Sequence, residues 1–464
     1  MTAQAKFLTG NLFNHISVMS FTASVGLMAI FVVDLVDMIF ISMLGNAALA
    51  AAVGYAGAIL FFTTSFGIGM AIAAGALVAR ALGAGDEGLA RQKSSTALIY
   101  GVGFSAVFAD LVWFNIPSLA ALMGASGETL ILATGYLQII IPSLPLLLVG
   151  MVGGAILRAH GDARRSMYAT ISGGVVNAVL DPIFIFGLGL DLTGAALASV
   201  AARITIAVVA LIPIIRHHGG LIRPSAAHMM RDFHPLAIIA VPAILTQLAT
   251  PIGQAYVTRT MADFGEAAVA GMAMVGRITP VAFGILFALS GAIGPIIGQN
   301  YGANKMDRVN EAYRKGLIFT ALVVIAVSIM LFFLRVPIAT LFQAEGQARD
   351  LVYLFCGPLA LLFFFNGQIF VSNAAFNNLG HPFYSTWINW GRHTLGTIAF
   401  VWLLSGSFGA EGVLIGQALG GVVFGLIAWA LTSYVLRHAR DRTQPIADPY
   451  QREARLFTLT HARK

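Results

Sequence analysis

What most constrains this chain is a series of apolar runs, about 18 residues or longer, that recur from Ile16 to Leu436. Each is long enough to cross a hydrocarbon core of roughly 30 Å as a helix. The runs are continuously apolar and lack the alternation of lipid-facing and lumen-facing residues that barrel strands carry, so they read as helices. Dividing the chain at charged, Pro and Gly clusters gives twelve segments, the first at 14 to 44 and the last two at 384 to 405 and 409 to 436. Only 10% of the 464 residues are charged and 58% are hydrophobic. Soluble domains are roughly 25% charged. The mean hydropathy is +0.84. The expected fold class is an all-α polytopic membrane protein with twelve transmembrane helices, and a soluble enzyme, a nucleic-acid binder and a secreted disulfide scaffold are excluded.

The net charge of +7 reports topology rather than an acidic partner, because the basic residues sit in short segments between apolar runs. Counted by alternate loops, one side holds 21 of the 27 Lys and Arg, the other holds Arg259, Arg335 and Arg349, and Arg203, Arg277 and Arg392 lie within helices. Cytoplasmic loops carry the excess. Both termini are therefore expected in the cytoplasm, which requires an even helix count, with the chain multi-pass in the plasma (inner) membrane. Cys356 is the single cysteine, so neither an internal disulfide nor a cysteine-based zinc site is available. Lys6 precedes a long apolar stretch without a small-residue cleavage site, and no cleaved signal peptide is read.

The chain carries an internal repeat. Gly83-Ala84 is echoed at Gly302-Ala303 and Arg158-Ala-His-Gly161 at Asn377-Asn-Leu-Gly380, both at an offset of 219. Gly45 to Leu49 matches Gly265 to Val269 at 220, and Gly194 matches Gly412 at 218. The offset spans six helices, an even number, so the repeat is parallel. It divides the chain into a six-helix lobe at 1–216, a linker of His, Arg and Pro at 217–233, a second six-helix lobe at 234–436 and a basic cytoplasmic tail at 437–464.

No Walker-type phosphate loop, HExxH pair or G-x-S-x-G elbow is present, so the parts of ATP hydrolysis and of common hydrolytic chemistry are missing. The informative residues are Asp34, Asp37, Asp110 and Asp181, the acids well inside apolar segments. Each costs roughly 2.5 to 3.5 kcal/mol at a helix centre on insertion scales. Asp34 and Asp37 share a face at i, i+3, and two carboxylates that close do not both ionise easily, which suits the pair to carrying a proton. Asp181 follows Asn177 at i, i+4 and precedes Pro182, whose bend exposes carbonyls and makes an oxygen-rich setting for a proton or hard cation. Asp110, among aromatic residues at an outer helix end, reads as interfacial. Arg203 is a candidate partner for Asp181 or Asp34, whereas a snorkelling Arg at a helix end fits Arg277 and Arg392 equally well. Gly-x-x-x-Gly at 150/154, 294/298, 416/420 and 421/425 reads as helix packing in lipid.

The run Leu35-Val-Asp37-Met-Ile-Phe-Ile-Ser-Met-Leu-Gly45, Gly83-Ala84, Leu157-Arg-Ala-His-Gly161-Asp162, Asn177 to Phe186 and Gly194-Ala-Ala-Leu-Ala-Ser199 resemble the multidrug and toxic compound extrusion (MATE) family across nearly the whole chain. Leu180-Asp-Pro-Ile-Phe-Ile185 is similar to its DinF-type branch. The resemblance implies two pseudo-symmetric six-helix lobes and export of organic cations or other xenobiotics in exchange for protons or sodium. It also implies a first-lobe cation site at Asp37, Asp181 and Asn177, with a secondary network at Tyr136 and Ser199. Asp34 stands where the family more often has Asn and Arg203 where it often has Gln, which points to an Asp34–Arg203 pair. A Pro-driven bend of the first helix is unavailable, since the first Pro is Pro117. Acids that other branches place in the second lobe are missing from Ile244-Leu-Thr-Gln247-Leu248 and Phe364-Phe-Asn366-Gly-Gln368, and by the repeat Asp37 projects onto Val257 and Asp181 onto Phe400.

The reading reached is a secondary active exporter, not an enzyme, with no cofactor and no nucleic-acid partner. It acts as a monomer in the bilayer on small organic, cationic substrates, with proton coupling through Asp34, Asp37, Asn177 and Asp181 and with Arg203 in the secondary network; no metal site is assigned. The alternatives are sodium coupling, or a lipid-linked-precursor flippase of the same superfamily, which would favour a cationic cavity for phosphate. An intramembrane enzyme would need a nucleophile with its base, and no His falls in a first-lobe helix core.

Overall fold

In the computed structural model, which describes residues 5–440, the chain is helical almost throughout, with no strand among the described residues. Helix α1 is Leu12–Met43, α2 Ala47–Gly83, α3 Glu87–Leu122, α4 Gly127–Ala159, α5 Ala163–Gly187 and α6 Asp191–His217. Then follow α7 Ala226–Ala262, α8 Glu266–Gly302, α9 Met306–Leu341 and α10 Gly346–Leu379. The last continuous helical stretch, Pro382–Ala439, is broken at Gly409 into α11 (382–408) and α12 (410–440). Several helices are interrupted where their sequence requires it. Pro142 lies in a 3-10 turn inside α4, Pro182 precedes a π turn at the end of α5, and Pro358 lies in a π turn in α10. Helix α8 bends by 48° between Ala282 and Gly284. With the bent α8 taken as one helix and the last stretch divided at Gly409, the described residues hold the expected twelve helices.

Several helices begin earlier than the apolar runs. Helix α2 starts at Ala47 rather than 54, α3 at Glu87 rather than 94 and α7 at Ala226 rather than 234. At the first two of these ends a polar side chain caps the helix. The Asn46 side chain accepts from the Ala48 amide, and Asp86 accepts from the Leu89 amide. The repeat is written in the helix ends themselves: α2 runs from 47 to 83 and α8 from 266 to 302, a difference of 219 at both ends. The same difference separates the starts of α3 and α9, Glu87 and Met306.

The chain forms two compact units, one holding Val25–Ala240 and the other Phe7–Ser24 with the chain from Val241 on. In the first unit, the stretch after α6 is fastened to α3. Arg91 donates to the Gly219 carbonyl, the Ile222 amide to Ser95 Oγ, and Tyr100 to the Met229 carbonyl. Asp232, 1% exposed, accepts from Gln92 at 2.7 Å and Thr96 at 3.1 Å and pairs with Lys93 at 2.6 Å. A buried carboxylate is tolerated only with such saturation. In the second unit, α12 returns along α11 on a glycine stripe. A Cβ at Gly412 would meet the Leu404 carbonyl oxygen at 2.2 Å, one at Gly416 the Val401 nitrogen at 2.6 Å and one at Gly420 the Gly396 carbon at 2.9 Å. Small residues allow this backbone-to-backbone approach in lipid, where van der Waals packing replaces the hydrophobic drive. Of the tail expected at 437–464, residues beyond 440 lie outside the described residues.

Candidate functional site

The site is built from four helices of the first unit. Asp181 is fully buried near the end of α5, and one carboxyl oxygen accepts from Asn177 Nδ2 at 3.1 Å, one helical turn earlier. The Asp37 carboxyl on α1 lies within hydrogen-bond reach of Asp181. Oδ1 of each acid is buried without another partner. Two facing acceptors repel unless a proton lies between them, so a pair in this arrangement is suited to sharing one proton. Tyr136 on α4 lies near Ser199 on α6 and close enough to Asp37, Asp181 and Arg203 to interact with their charges.

The structure thus gathers Asp37, Asp181, Asn177, Tyr136, Ser199 and Arg203 in one neighbourhood, with Asp34 beside Asp37 but exposed. Two expectations change. The acid that faces Asp37 is Asp181 rather than Asp34, because the side chain one turn earlier turns outward while α5 brings Asp181 inward. The Asp34–Arg203 pair does not form. Arg203 donates instead to the Ile140 carbonyl at 3.1 Å and to Ser143 Oγ at 2.9 Å, in the 3-10 turn of α4 where carbonyls are freed from helical bonding. Asp110 and Arg277 are exposed.

Arg392 departs from the snorkelling alternative. It is half-buried, hydrogen-bonded to Asn366 Oδ1 and His393 Nε2, and its Nε is buried without a partner. Sequence reasoning did not find this cluster, because its members come from α10 and α11 and no spacing connects them; the adjacent Arg-His inside an apolar run was the available signal.

Outside the membrane-spanning segments, the corner between α4 and α5 is tightly paired. Asp162 accepts from Arg165 at 2.6 Å and from His218 Nε2 at 3.1 Å. Burial would raise its carboxyl, but these hydrogen bonds and the Arg165 charge outweigh it and hold the group well below the usual carboxylate range. Beside it, burial foremost and the nearby His218 push the His160 imidazole down to about 4, against the opposing pull of the Ile156 carbonyl and Asp162.

A helical membrane protein built on a repeat, with an acid pair inside the spanning helices of its first half, is the class this geometry defines. The MatE family model matches residues 23–183 and again 242–403, the second match beginning 219 residues after the first, and the chain belongs to this family. It is 28% identical over 433 residues to an FAD transporter of Shewanella oneidensis, covering 92% of this chain and 95% of that protein. It is 24% identical over 438 residues to the multidrug export protein MepA of Staphylococcus haemolyticus, covering 93% and 95% of the two chains. The fold superposes on a mutant of the Vibrio cholerae MATE transporter VcmN with a TM-score of 0.88 at 24% identity, over 92% of this chain and 97% of that one.

Proposed function

We propose that this chain exports small organic compounds by secondary active antiport, with a proton as the coupling ion carried by the Asp37–Asp181 pair. The observation that carries this reading is the contact of a half-buried Asp37 with a fully buried Asp181 inside membrane-spanning helices, each with an orphaned oxygen. Asn177 orients Asp181, and Tyr136, Ser199 and Arg203 complete a polar surround in which the two protonation states differ in charge. An inward proton releases about 2.3 kcal/mol per 100 mV of membrane potential, before any pH difference is counted. If bound substrate lowers the pair's proton affinity, protonation must lower substrate affinity by the same factor, and that reciprocity is the antiport.

Transport in proteoliposomes under imposed proton or sodium gradients tests the reading. Asp37→Asn and Asp181→Asn keep the shape of the acid and cannot ionise. Each should abolish proton-driven export and remove the pH dependence of substrate binding, whereas Asp34→Asn should be mild. Wild-type rates and intact pH dependence in both Asn variants would sink the proposal, and export driven by sodium alone would replace the proton. The termini are proposed to be cytoplasmic, in the plasma (inner) membrane, with the chain acting as a monomer. With Cys356→Ser, single cysteines at Arg164 and Asp307 should label from the cytoplasm and one at Glu128 from outside.

For the substrate, organic cations are what the family resemblance implies. The similarity to an FAD transporter, together with a second unit that holds a half-buried arginine without an acidic partner, favours a second reading in which the substrate carries an anionic group.

A further inference from the structure

Arg392 sits in the middle of an apolar run, at the first residue of the π turn Arg392–Gly396, where the Thr397 hydroxyl donates to the Arg392 carbonyl at 2.9 Å. Single π turns inside helices concentrate at functional positions, because the extra residue breaks the regular bonding and re-aims side chains. The guanidinium donates to two neutral acceptors, Asn366 and His393, and no ion pair with an acid reaches it among the described residues. Its Nε donor is buried and unused. Thr250 of α7 lies 3.4 Å from the same His393 nitrogen, and Gly421 of α12 brings its backbone close to Asn366.

An arginine keeps its charge in a protein interior, and a charge there without a counter-charge is costly. In a membrane such residues face a partner or a solute path. We infer that Arg392, positioned by Asn366 and His393, is a subsite for an anionic group, a phosphate or a carboxylate, carried by the transported solute or by a lipid headgroup. The guanidinium fork matches such groups bidentately, with two parallel N–H donors on one oxyanion. Asn366 and His393 hold the fork through acceptors that do not neutralise it, which leaves its charge for the ligand. The inference rests on the second substrate reading and is independent of which ion drives transport.

The test compares riboflavin with flavin mononucleotide, which differ by one phosphate, and uses ethidium as a cation, with binding and transport measured on the purified full chain in proteoliposomes. Wild type should bind the mononucleotide more tightly than riboflavin. Arg392→Gln should weaken mononucleotide binding by about tenfold or more, the scale of charge-assisted hydrogen bonds, and leave riboflavin, ethidium and ethidium-induced proton release unchanged. Should Arg392→Gln fail to fold, Asn366→Asp supplies a carboxylate that occupies the guanidinium and should produce the same selective loss. A lipid source would appear instead as an anionic phospholipid that co-purifies with wild type and is absent from both variants. Equal loss for all three compounds in a folded variant, or no loss for the mononucleotide with no lipid retained, overturns the inference. Because ethidium-induced proton release depends on Asp37 and not on Arg392, a failure of the coupling reading is seen separately.

Discussion

The two lobes repeat the same helix limits and diverge in the charge they hold. The first has an acid pair, Asp181 buried and Asp37 half-buried, and the second a half-buried arginine, with Phe400 at the position of Asp181 and Gly173 at that of Arg392. Packing diverges too. The stripe Gly412, Gly416 and Gly420 of the second lobe corresponds to Gly194, Ala198 and Ala202 of the first, so α12 approaches its neighbour's backbone more closely along its length than the buried alanines of α6 allow. A duplicated scaffold fixes where helices start, stop and cross; the chemistry between them is free to differ because few side chains decide it.

The largest effect should separate the lobes by coupling. Asp181→Asn should reduce proton-driven export to that of empty liposomes. Gln247→Ala in the second lobe should leave substrate-induced proton release within about threefold of wild type, under ~1 kcal/mol. If Gln247→Ala abolished proton release in folded protein, the lobes would share the ion site and the asymmetry would fail.

Next in size is the packing difference. Gly→Ala inside a helix ordinarily stabilises by about 0.5–1 kcal/mol. At Gly416 the sign should reverse, because the new Cβ meets backbone at 2.6 Å and backbone cannot yield. A loss of about 1–3 kcal/mol is expected from such overpacking, seen as a lower thermal midpoint in detergent. Gly57→Ala, where a Cβ meets nothing within 4 Å, is the control and should not lower it.

The smallest effect concerns the corners after the fourth and tenth helices, Arg158-Ala-His-Gly161 against Asn377-Asn-Leu-Gly380. His160 falls from an ordinary 6.5 to about 4 in the folded chain. Above pH 6.5 it is neutral in both states and costs nothing; as pH falls from 6.5 towards 4 the unfolded chain takes up a proton that the folded chain refuses, and stability is lost. Asp162, held low, keeps its contribution until pH falls below the ordinary carboxylate value near 3.8. His160→Asn should therefore flatten the fall in thermal midpoint between pH 6.5 and pH 4.5, and an unchanged slope would assign the acid sensitivity elsewhere.

The apolar runs made the helices legible, since length and hydropathy alone meet the membrane's demand, and the glycine-bearing echoes such as Gly83-Ala84 with Gly302-Ala303 made the repeat legible. Asp37, Asn177 and Asp181 stood out for the same reason, as acids and an amide where lipid would exclude them. What could not be read was which way each side chain turns. Asp34 and Asp37 are neighbours by helical spacing, yet the choice between them depends on where α5 delivers Asp181. Arg203 had an acid within plausible reach and took carbonyl and hydroxyl acceptors from a 3-10 turn that no local pattern announced. Arg392 was ambiguous because Asn366 comes from another helix, 26 residues earlier in the chain. The polar stretch at 217–233 has the composition of a linker, whereas its bonds to α3 depend on contacts about 130 residues apart.

The break at Gly409 carries a consequence for how the protein is made. Pro382–Ala439 is helical over 58 residues, which as one straight rod would measure about 87 Å, nearly three hydrocarbon thicknesses. Its reversal turns on one residue at φ 58° and ψ −136°, a conformation closed to residues that bear a Cβ. The two helices meet at one glycine, with no longer loop between them to absorb a change at that position. A bulky residue at 409 would be expected to disfavour that reversal during insertion, and labelling of a cysteine placed at Arg437 from the outer face of the membrane would show it.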